Sequence, residues 1–294
     1  MDKQPKTMRR AGEVAAEYLA ALDARFTGQK HHVPSGFQSL DKQLPAWLHE
    51  GHLIVIASRP AMGKSAFAQQ VSENVAGEQR TVIMYTLEMS SYEITERAMS
   101  RRTGIPIPTL KTADGLTNRD WEKLSSAYAG FSPLPFLIDD ATFAIDEIVA
   151  KTKAASSGLE RTGMPPLGCV VVDYIQLVAA RAANRTLEVG QVTNKLKRLA
   201  KELAVPVVAL SQLNRAVEGR TDRRPTLADL RESGNIEQDA DLVMFLYRDE
   251  YYNPDSTEKG IAEIIAAKNR HGATGAAKLA FSGEQVRFGD LAYV

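Results

Sequence analysis

The sequence predicts an α/β fold with a mostly parallel central sheet, flanked by helices and extended by antiparallel strands. From residue 53 onward, short apolar runs rich in β-branched residues alternate with segments of helical periodicity, which is typical of parallel strands joined by helical crossovers. Three later apolar runs are joined by short turns instead, which indicates antiparallel pairing. These runs cover residues 242–247, 261–268 and 277–281.

The predicted strands and helices of the parallel part follow one another in regular order. The strands are 53–57, 81–86, 136–138, 169–173 and 205–210. The helices are 64–75, 92–102, 118–129, 145–156 and 187–203. With 294 residues, of which 44% are hydrophobic, the chain can bury one substantial core, and we expect one large domain over residues 33–294.

The first 32 residues are expected to form an N-terminal linker helix followed by a linker. Val14, Tyr18, Leu22 and Phe26 recur every four positions and therefore lie on one side of a helix. The stretch 28–32 is typical of a linker. The apolar side of this helix needs a surface to pack on, and the residues leave open whether that surface belongs to its own domain or to a neighbouring subunit.

Composition restricts the partners and the compartment that we expect. Lys and Arg together number 36, as do Asp and Glu, so affinity for nucleic acid has to come from local basic patches. The single cysteine, Cys169, lies in an apolar run and is expected to be buried; it allows no disulfide framework, which favours a cytoplasmic protein. No apolar run is long enough to predict a membrane span. The five histidines lack the spacing of a zinc site and are interpreted as surface or loop residues.

A phosphate-binding loop is predicted between the first strand and the following helix. Residues 58–65 match the P-loop pattern, except that Ser58 replaces the first glycine. The backbone N–H groups of such a loop face the phosphates, Lys64 reaches the β- and γ-phosphates, and the Ser65 hydroxyl can ligate Mg²⁺. The expected ligand is ATP with Mg²⁺. The expected nucleotide-binding residues are Ser58, Arg59, Pro60, Ala61, Met62, Gly63, Lys64, Ser65 and Ala66.

Polar residues follow three of the predicted strands. Asp173 ends the strand 169–173 and is predicted to help hold Mg²⁺, as the carboxylate of a Walker B strand does. Glu88 follows the second strand and could polarise an attacking water. Alternatively, Glu88 is only a charged residue at the start of the next helix. Gln212 follows the fifth strand, where it could sense the γ-phosphate or be a solvated loop amide.

Basic residues cluster after the fifth strand. Such charges usually form a solvated face, yet their concentration near the predicted nucleotide site of a neutral protein favours a nucleic-acid path that follows phosphates. The stretch contains Gly and Pro and is interpreted as a mobile loop. Its arginines are Arg215, Arg220, Arg223, Arg224 and Arg231, and the preceding helix adds Lys195, Lys197, Arg198 and Lys201.

A last basic pair closes one of the later strands. Lys268 and Arg270 flank Asn269 shortly before Gly272. Arg270 is interpreted either as an arginine finger, which stabilises the charge that develops during phosphoryl transfer, or as an exposed strand-end charge.

Together, these features resemble the C-terminal ATPase domain of the DnaB-type replicative DNA helicases, within the RecA-like class of P-loop ATPases. The resemblance covers residues 33–290. It implies a RecA-like core in a ring-forming, ATP-driven motor that assembles as a hexamer, translocates on single-stranded DNA and unwinds duplex. The segments that carry the resemblance are 35–41, 59–65, 210–215, 229–241 and 247–250.

The resemblance also implies roles for the residues of the predicted site. Lys64 and Ser65 would bind nucleotide and Mg²⁺, and Asp173 would complete the metal site. Glu88 would activate water. Gln212 would couple the nucleotide site to the DNA-binding loop.

Further roles implied by the resemblance concern neighbouring subunits and DNA. Lys268 and Arg270 would act in trans on the ATP of the adjacent protomer. The N-terminal helix would dock on a neighbour and help to close the ring. The residues that would lie along a central channel and hold single-stranded DNA are Arg215, Arg231, Glu232 and Gly234.

The sequence departs from the family pattern in two places. The family's separate N-terminal helical domain has no counterpart in it, so primase binding is not carried over, while a helicase loader is a further partner to consider. The usual Gly-rich entry to the first strand is replaced by residues 44–48. Two other functions stay open: a RecA-like recombination or DNA-remodelling ATPase, and a nucleotide-gated loading partner with weak turnover. The set of Glu88, Asp173 and Gln212 argues against the loading partner.

Overall fold

Nine strands within the described residues form one central sheet, which confirms the predicted fold class. The computed structural model describes residues 8–27 and 33–291, and of Arg25 and residues 231–235 only the backbone. The strands are β1 (Leu53–Ser58), β2 (Thr81–Thr86), β3 (Phe136–Asp139), β4 (Leu167–Asp173), β5 (Val207–Gln212), β6 (Leu242–Tyr247), β7 (Ile261–Asn269), β8 (Gly275–Ser282) and β9 (Arg287–Asp290).

The α-helices of the described residues are α1 (Ala11–Phe26), α2 (Gln38–Gln43), α3 (Lys64–Gly77), α4 (Ser91–Thr103), α5 (Ile107–Thr112), α6 (Asn118–Phe131), α7 (Ile145–Gly158), α8 (Arg185–Leu203) and α9 (Gly234–Asp239). Of these, α3 packs on one face of the sheet, and α7 and α8 pack on the other. Short 3-10 helices lie at Glu160–Thr162, Ile175–Leu177, Arg215–Gly219, Leu227–Ser233 and Asp249–Tyr251. None of the helices in the described ranges is both long and apolar enough to cross a membrane.

The sheet has a parallel and an antiparallel part, joined at β6. Its strand order is β3-β2-β4-β5-β1-β6-β7-β8-β9. β6 runs parallel to β1 on one side and antiparallel to β7 on the other, and β7, β8 and β9 continue as antiparallel neighbours. The sequence did not predict β9, because its four residues are too short to show a period.

Because the first six strands in this order are parallel, the sheet has two distinct ends. The ends of β1, β2, β4 and β5 lie side by side, as the pairs Ser58–Gln212 and Thr86–Asp173 show. We call this side the carboxyl edge. The opposite side, where β1 and β6 begin and the antiparallel β7 ends, is the amino edge.

Two hydrophobic cores cover the two faces of the sheet. Alternate residues of β1 belong to different cores: Ile54 packs with α3 on one face, and Val55 packs with α7 and α8 on the other. Every residue of β1, β2 and β4 is buried, which is why these strands have continuous apolar sequences without alternation. Cys169 is part of this buried core, as predicted, and burial raises the pKa of its thiol to about 12.

The predicted N-terminal helix is present as α1, and its apolar side is uncovered. Val14, Tyr18, Leu22 and Phe26 are 45%, 58%, 43% and 91% exposed. The core of the described residues therefore does not bury this side of the helix. The predicted linker at 28–32 lies outside the described residues.

Candidate functional site

A cavity of about 530 Å³ opens at the carboxyl edge, above the ends of β1, β4 and β5. Of the nine predicted loop residues, all except Met62 line it, and so do the predicted Glu88 and Gln212. Met62 is buried in the hydrophobic core, so its backbone alone can serve the loop. Lining residues to which the sequence had assigned no role are Met89, Glu93, Arg97, Tyr174, Arg248, Phe281, Gly283 and Val286.

The predicted phosphate loop follows β1 and leads directly into α3. Gly63 precedes the helix with a φ of 100°, and a Cβ added there would lie 3.0 Å from the Phe288 ring. Both the backbone conformation and the close approach of this ring require glycine. Ser58, which replaces the usual first glycine, is buried at the end of β1, and its hydroxyl donates to the Arg59 carbonyl at 2.9 Å. The replacement is thus accommodated within the strand end.

Lys64, which lines the cavity, pairs with the buried Asp173 at the end of β4. The Lys64 ammonium donates to Oδ1 of Asp173 at 2.9 Å, and the Asp173 side chain is completely buried. The second carboxylate oxygen of Asp173, Oδ2, is buried and has no hydrogen-bond partner among the described residues. A buried carboxylate oxygen without a partner needs a compensating charge or donor. Ser65, which lines the cavity, would add a hydroxyl oxygen. Because Mg²⁺ prefers oxygen ligands and is commonly bound through one or two carboxylates, these residues fit that ion.

Gln212, at the end of β5, is held by a glutamine that the sequence had not indicated. The Gln176 side-chain amide accepts from the Gln212 backbone N–H at 3.2 Å and donates to the Gln212 carbonyl at 3.2 Å. It also donates to the Ser211 hydroxyl at 2.9 Å. Since Gln176 follows Asp173 by three residues, its side chain links the end of β4 to the end of β5 beyond their last backbone pairing.

An arginine and an aromatic ring from the antiparallel part form one wall of the cavity. The Arg248 guanidinium lies 4.1 Å from the centroid of the Phe281 ring, donates to the Ala61 carbonyl at 3.2 Å and pairs with Glu250. This contact could not be predicted from periodicity or from the residues that end strands. Arg248 and Phe281 are far apart in the sequence and meet only through the pairing of β6, β7 and β8.

Arg59 connects the phosphate loop to the segment after β5. It is 8% exposed, its Nε donates to Glu218 at 2.8 Å, and one terminal nitrogen donates to the Leu213 carbonyl at 2.7 Å. A second cavity, of about 360 Å³, shares Arg59 and Gln212 with the first and is also lined by the exposed Arg215. The loop and the predicted DNA-binding segment are therefore in direct contact.

The segment after β5 is not the loop without regular structure that its composition suggested. It forms the 3-10 helices Arg215–Gly219 and Leu227–Ser233, which lead into α9. Asp229, which is 6% exposed, organises the turn: Arg220 donates to both of its carboxylate oxygens, at 3.0 and 2.9 Å, and the Thr226 N–H donates at 2.7 Å. Arg231 and Glu232 lie in the second 3-10 helix and Gly234 begins α9, while their side chains lie outside the described residues.

Lys268 and Arg270 lie at the amino edge, at the opposite end of the sheet from the cavity. Lys268 donates to the Ala240 carbonyl at 2.9 Å and to the Glu237 carbonyl, and burial lowers its pKa. The exposed Arg270 lies 3.6 Å from the Asp241 carboxylate. The six residues of β1 span about 20 Å between the two edges, which is more than an arginine side chain can bridge. Neither residue can reach the cavity of its own chain.

Three of the five histidines, which were interpreted as surface or loop residues, come together at the amino edge. The rings of His49, His52 and His271 stack with centroid separations of 4.4 Å each. Burial, followed by repulsion from His49, lowers the pKa of His52 to about 4.

Two of the α8 lysines are held by carboxylates in different places: Lys195 pairs with Asp146 in the first turn of α7, whereas Lys197 pairs with Asp241 at the amino edge. Lys197 therefore does not join a basic path at the carboxyl edge.

The strand order, the phosphate loop after β1 and the buried aspartate at the end of β4 define a RecA-like P-loop domain. The chain belongs to the family described as DnaB-like helicase C terminal domain, which matches residues 32–290. This confirms the resemblance found in the sequence.

Curated relatives and solved structures agree with this assignment. The chain is 44% identical over 263 residues to the replicative DNA helicase DnaB of Pasteurella multocida, covering 88% of this chain and 56% of that protein. It is 42% identical over 280 residues to DnaB of Geobacillus stearothermophilus, covering 94% of this chain and 59% of that protein. The chain thus spans less than two thirds of the length of these relatives.

Two solved structures are similar over almost the whole chain. One, described as an ATPase domain, is 37% identical with a TM-score of 0.84, and the match covers 94% of this chain and 98% of that one. The other is a DnaB-like replicative helicase, described together with its interactions with primase. It is 37% identical with a TM-score of 0.85, covering 97% of this chain and 68% of that one.

Proposed function

We propose that this chain is the motor domain of a ring-forming replicative DNA helicase, which hydrolyses ATP, translocates on single-stranded DNA and unwinds duplex. One observation carries the proposal: in a chain of the DnaB-like family, Lys64 pairs with the buried Asp173 and lines a cavity together with Glu88 and Gln212. This is the set of charges that phosphoryl transfer requires, with a cation for the phosphates, a metal-binding carboxylate and a base.

The ligand of the cavity would be ATP with Mg²⁺. Lys64 and the N–H groups at the start of α3 would bind the phosphates. Ser65 and Asp173 would hold Mg²⁺, which neutralises the charge that develops on the phosphate oxygens. The buried Oδ2 of Asp173, without a hydrogen-bond partner in the described structure, supports this role.

Glu88 would accept the proton of the attacking water. Its side chain is exposed at the cavity and forms neither an ion pair nor a hydrogen bond within the described ranges. A carboxylate in this position is available as a general base, which contributes about 10²- to 10⁴-fold to the rate. Gln212 would detect whether the γ-phosphate is present.

Coupling to DNA would run through the contacts around Gln212 and Arg59. Gln176 holds the Gln212 backbone, and Arg59 binds Glu218 in the 3-10 helix that begins at Arg215. A displacement at the phosphates would therefore move the segment 215–234. Arg215, Arg231 and the backbone of the segment from Glu232 to Gly234 would hold DNA phosphates, which gives binding that is largely independent of sequence.

The amino edge supports a ring. Lys268 and Arg270 lie about 20 Å from the phosphate loop of their own chain, so any action on a triphosphate has to take place on a neighbouring copy. The uncovered apolar side of α1 would dock on a neighbour. We therefore propose a homo-oligomer, specifically a hexamer, with a helicase loader as a further partner.

The test is ATP-dependent unwinding of a forked DNA, with the oligomer mass recorded for the wild type and for Arg270→Ala. We expect the wild type to unwind as a closed ring, and Arg270→Ala to keep the ring but lose hydrolysis. Open helical filaments without unwinding would instead support a recombination-type ATPase. Tight ATP binding with almost no turnover would support the nucleotide-gated loading partner.

A further inference from the structure

Four cationic side chains line the cavity, and three of them are already paired. Lys64 pairs with Asp173 at 2.9 Å. Arg59 pairs with Glu218 at 2.8 Å, and Arg248 pairs with Glu250 at 2.5 Å. The fourth cation, Arg97 of α4, has a guanidinium that forms no ion pair and no hydrogen bond with any part of the chain that the structure describes.

The carboxylates in and next to the cavity also divide into residues with a partner and one residue without. Asp173 is paired with Lys64. Glu93 belongs to the capping box of α4, where the Ser90 N–H and hydroxyl donate to its carboxylate at 2.9 and 3.0 Å, and these hydrogen bonds lower its pKa. Among the described residues lining the cavity, this leaves Glu88 as the carboxylate without a partner.

The Arg97 guanidinium interacts electrostatically with three carboxylates of the site. Its side chain is half-buried, and burial lowers its pKa. The carboxylates whose charges oppose this effect are Asp173, Glu93 and Glu88. A desolvated guanidinium without a partner is unfavourable, so its presence in the site calls for a ligand or a carboxylate that it binds during the reaction.

We propose that Arg97 is a positioning residue for hydrolysis and that its guanidinium holds the Glu88 carboxylate against the attacking water. Glu88 is the partner that remains, since Glu93 is held by Ser90 and Asp173 would be held by Lys64 and Mg²⁺. Glu88 precedes α4 and Arg97 lies within that helix, so the planar guanidinium, held by the helix, would orient the carboxylate of the preceding segment. This inference rests on the proposed ATP hydrolysis.

The first experiment compares the turnover and the nucleotide affinity of two substitutions. For Arg97→Ala, we expect kcat to fall about 10- to 100-fold, as for other catalytic groups that lose their orientation, while the Kd of a fluorescent ATP analogue changes less than about threefold. Arg97→Lys keeps the charge but loses the planar fork, and should recover about a tenth to a half of the lost rate.

Arg102→Ala is the matched control. Arg102 lies on the same helix but outside the cavity, with its guanidinium 3.4 Å from Glu73 and 5.3 Å from the Phe131 ring. We expect its kcat to stay within about twofold of the wild type, because partly exposed pairs of this kind contribute little. Far-UV circular dichroism and thermal midpoints establish that all variants are folded; if Arg97→Ala is not, Arg97→Gln replaces it.

A double-mutant cycle then identifies the partner. In a Glu88→Gln background, with rates measured by single-turnover hydrolysis, Arg97→Ala should slow the reaction less than about twofold further, because the carboxylate it positions is gone. Equal effects of Arg97→Ala in both backgrounds would overturn the inference. So would a loss of nucleotide affinity as large as the loss of kcat, since Arg97 would then be a phosphate contact. If the wild type itself does not hydrolyse ATP, the proposed function fails, whereas a fully active Arg97→Ala overturns only this inference.

Discussion

The two edges of the sheet both carry clustered charges, but they use them differently. At the carboxyl edge, Lys64 and Glu88 line one cavity, and Lys64 forms an ion pair with the buried Asp173. At the amino edge, Lys268 donates to backbone carbonyls and Arg270 lies beside Asp241, about 20 Å from the phosphate loop. The carboxyl edge combines its charges within one chain, whereas the role that we propose for the amino edge requires a second copy.

Mixing two inactive variants gives the sharpest test of this difference. Lys64→Ala removes the cation that would bind the phosphates, and Arg270→Ala removes the cation that would act on the nucleotide of a neighbouring subunit. We expect either substitution alone to lower the rate of ATP hydrolysis by about 10³-fold or more. In a mixed ring, an Arg270→Ala subunit keeps its cavity and can receive Arg270 from a Lys64→Ala neighbour. Phosphate release from the mixture should therefore exceed the sum of the two variants.

A mixture no more active than its components would place both residues in the same site, provided that native mass spectrometry shows mixed rings. The control is a mixture of Lys64→Ala with Asp173→Asn. Both substitutions damage the cavity of their own subunit, so no interface in that ring contains an intact cavity, and we expect no recovery.

The link from the cavity to the DNA segment predicts an effect of intermediate size. Gln176→Ala removes three hydrogen bonds that hold the ends of β4 and β5 together, each of which contributes about 1 kcal/mol. We expect the stimulation of hydrolysis by single-stranded DNA to fall about tenfold, because Gln212 is no longer held relative to Asp173. Stopped-flow phosphate release with and without DNA measures this.

Gln38→Ala, an exposed glutamine of α2 far from β4 and β5, is the control and should keep full stimulation. If Gln176→Ala reduces the rates with and without DNA by the same factor, Gln176 supports the cavity itself and does not couple it to DNA.

The histidine stack predicts the smallest effect, which concerns stability at the amino edge. His52 faces His49, His271, Lys197 and Asp241, and its pKa falls from the usual 6.5 to about 4. A depressed histidine pKa means that protons bind more tightly to the unfolded chain. The contribution of neutral His52 is therefore complete above pH 6.5 and is lost as the pH falls towards 4.

We expect the free energy of unfolding to decrease by about 1–2 kcal/mol between pH 7 and pH 5 because of His52. Urea denaturation at the two pH values measures it, in a range where the carboxylates with lowered pKa values do not titrate. In His52→Gln the decrease should be smaller by that amount. An unchanged pH dependence in this variant would mean that His52 does not titrate in this way.

Much of the fold and the centre of the site could be predicted because their signals are local. A buried strand shows as a short apolar run, and the residue that ends a parallel strand necessarily lies at the carboxyl edge. This places Lys64, Asp173, Glu88 and Gln212 around one cavity before any coordinates are known. The periodicity of α1 also predicted that its apolar residues share one side, while only the structure shows that this side is exposed.

The rest depended on contacts between distant parts of the chain. Arg97 is one of several charges on α4, and only the packing of that helix shows that it faces the cavity without a partner. Gln176 and Asp229 are ordinary polar residues in the sequence, and their roles come from the strands and turns that they join.

The sequence by itself determined eight of the nine described strands, the phosphate loop and the strand-end residues of the site, because each of these depends on a period or spacing within a few residues. The tertiary structure alone decided which cations are paired, which carboxylate is free, and that Lys268 and Arg270 lie at the far edge of the sheet. The physical reason is that ion pairing and burial depend on distances in space, which are set by the order and direction of all nine described strands together.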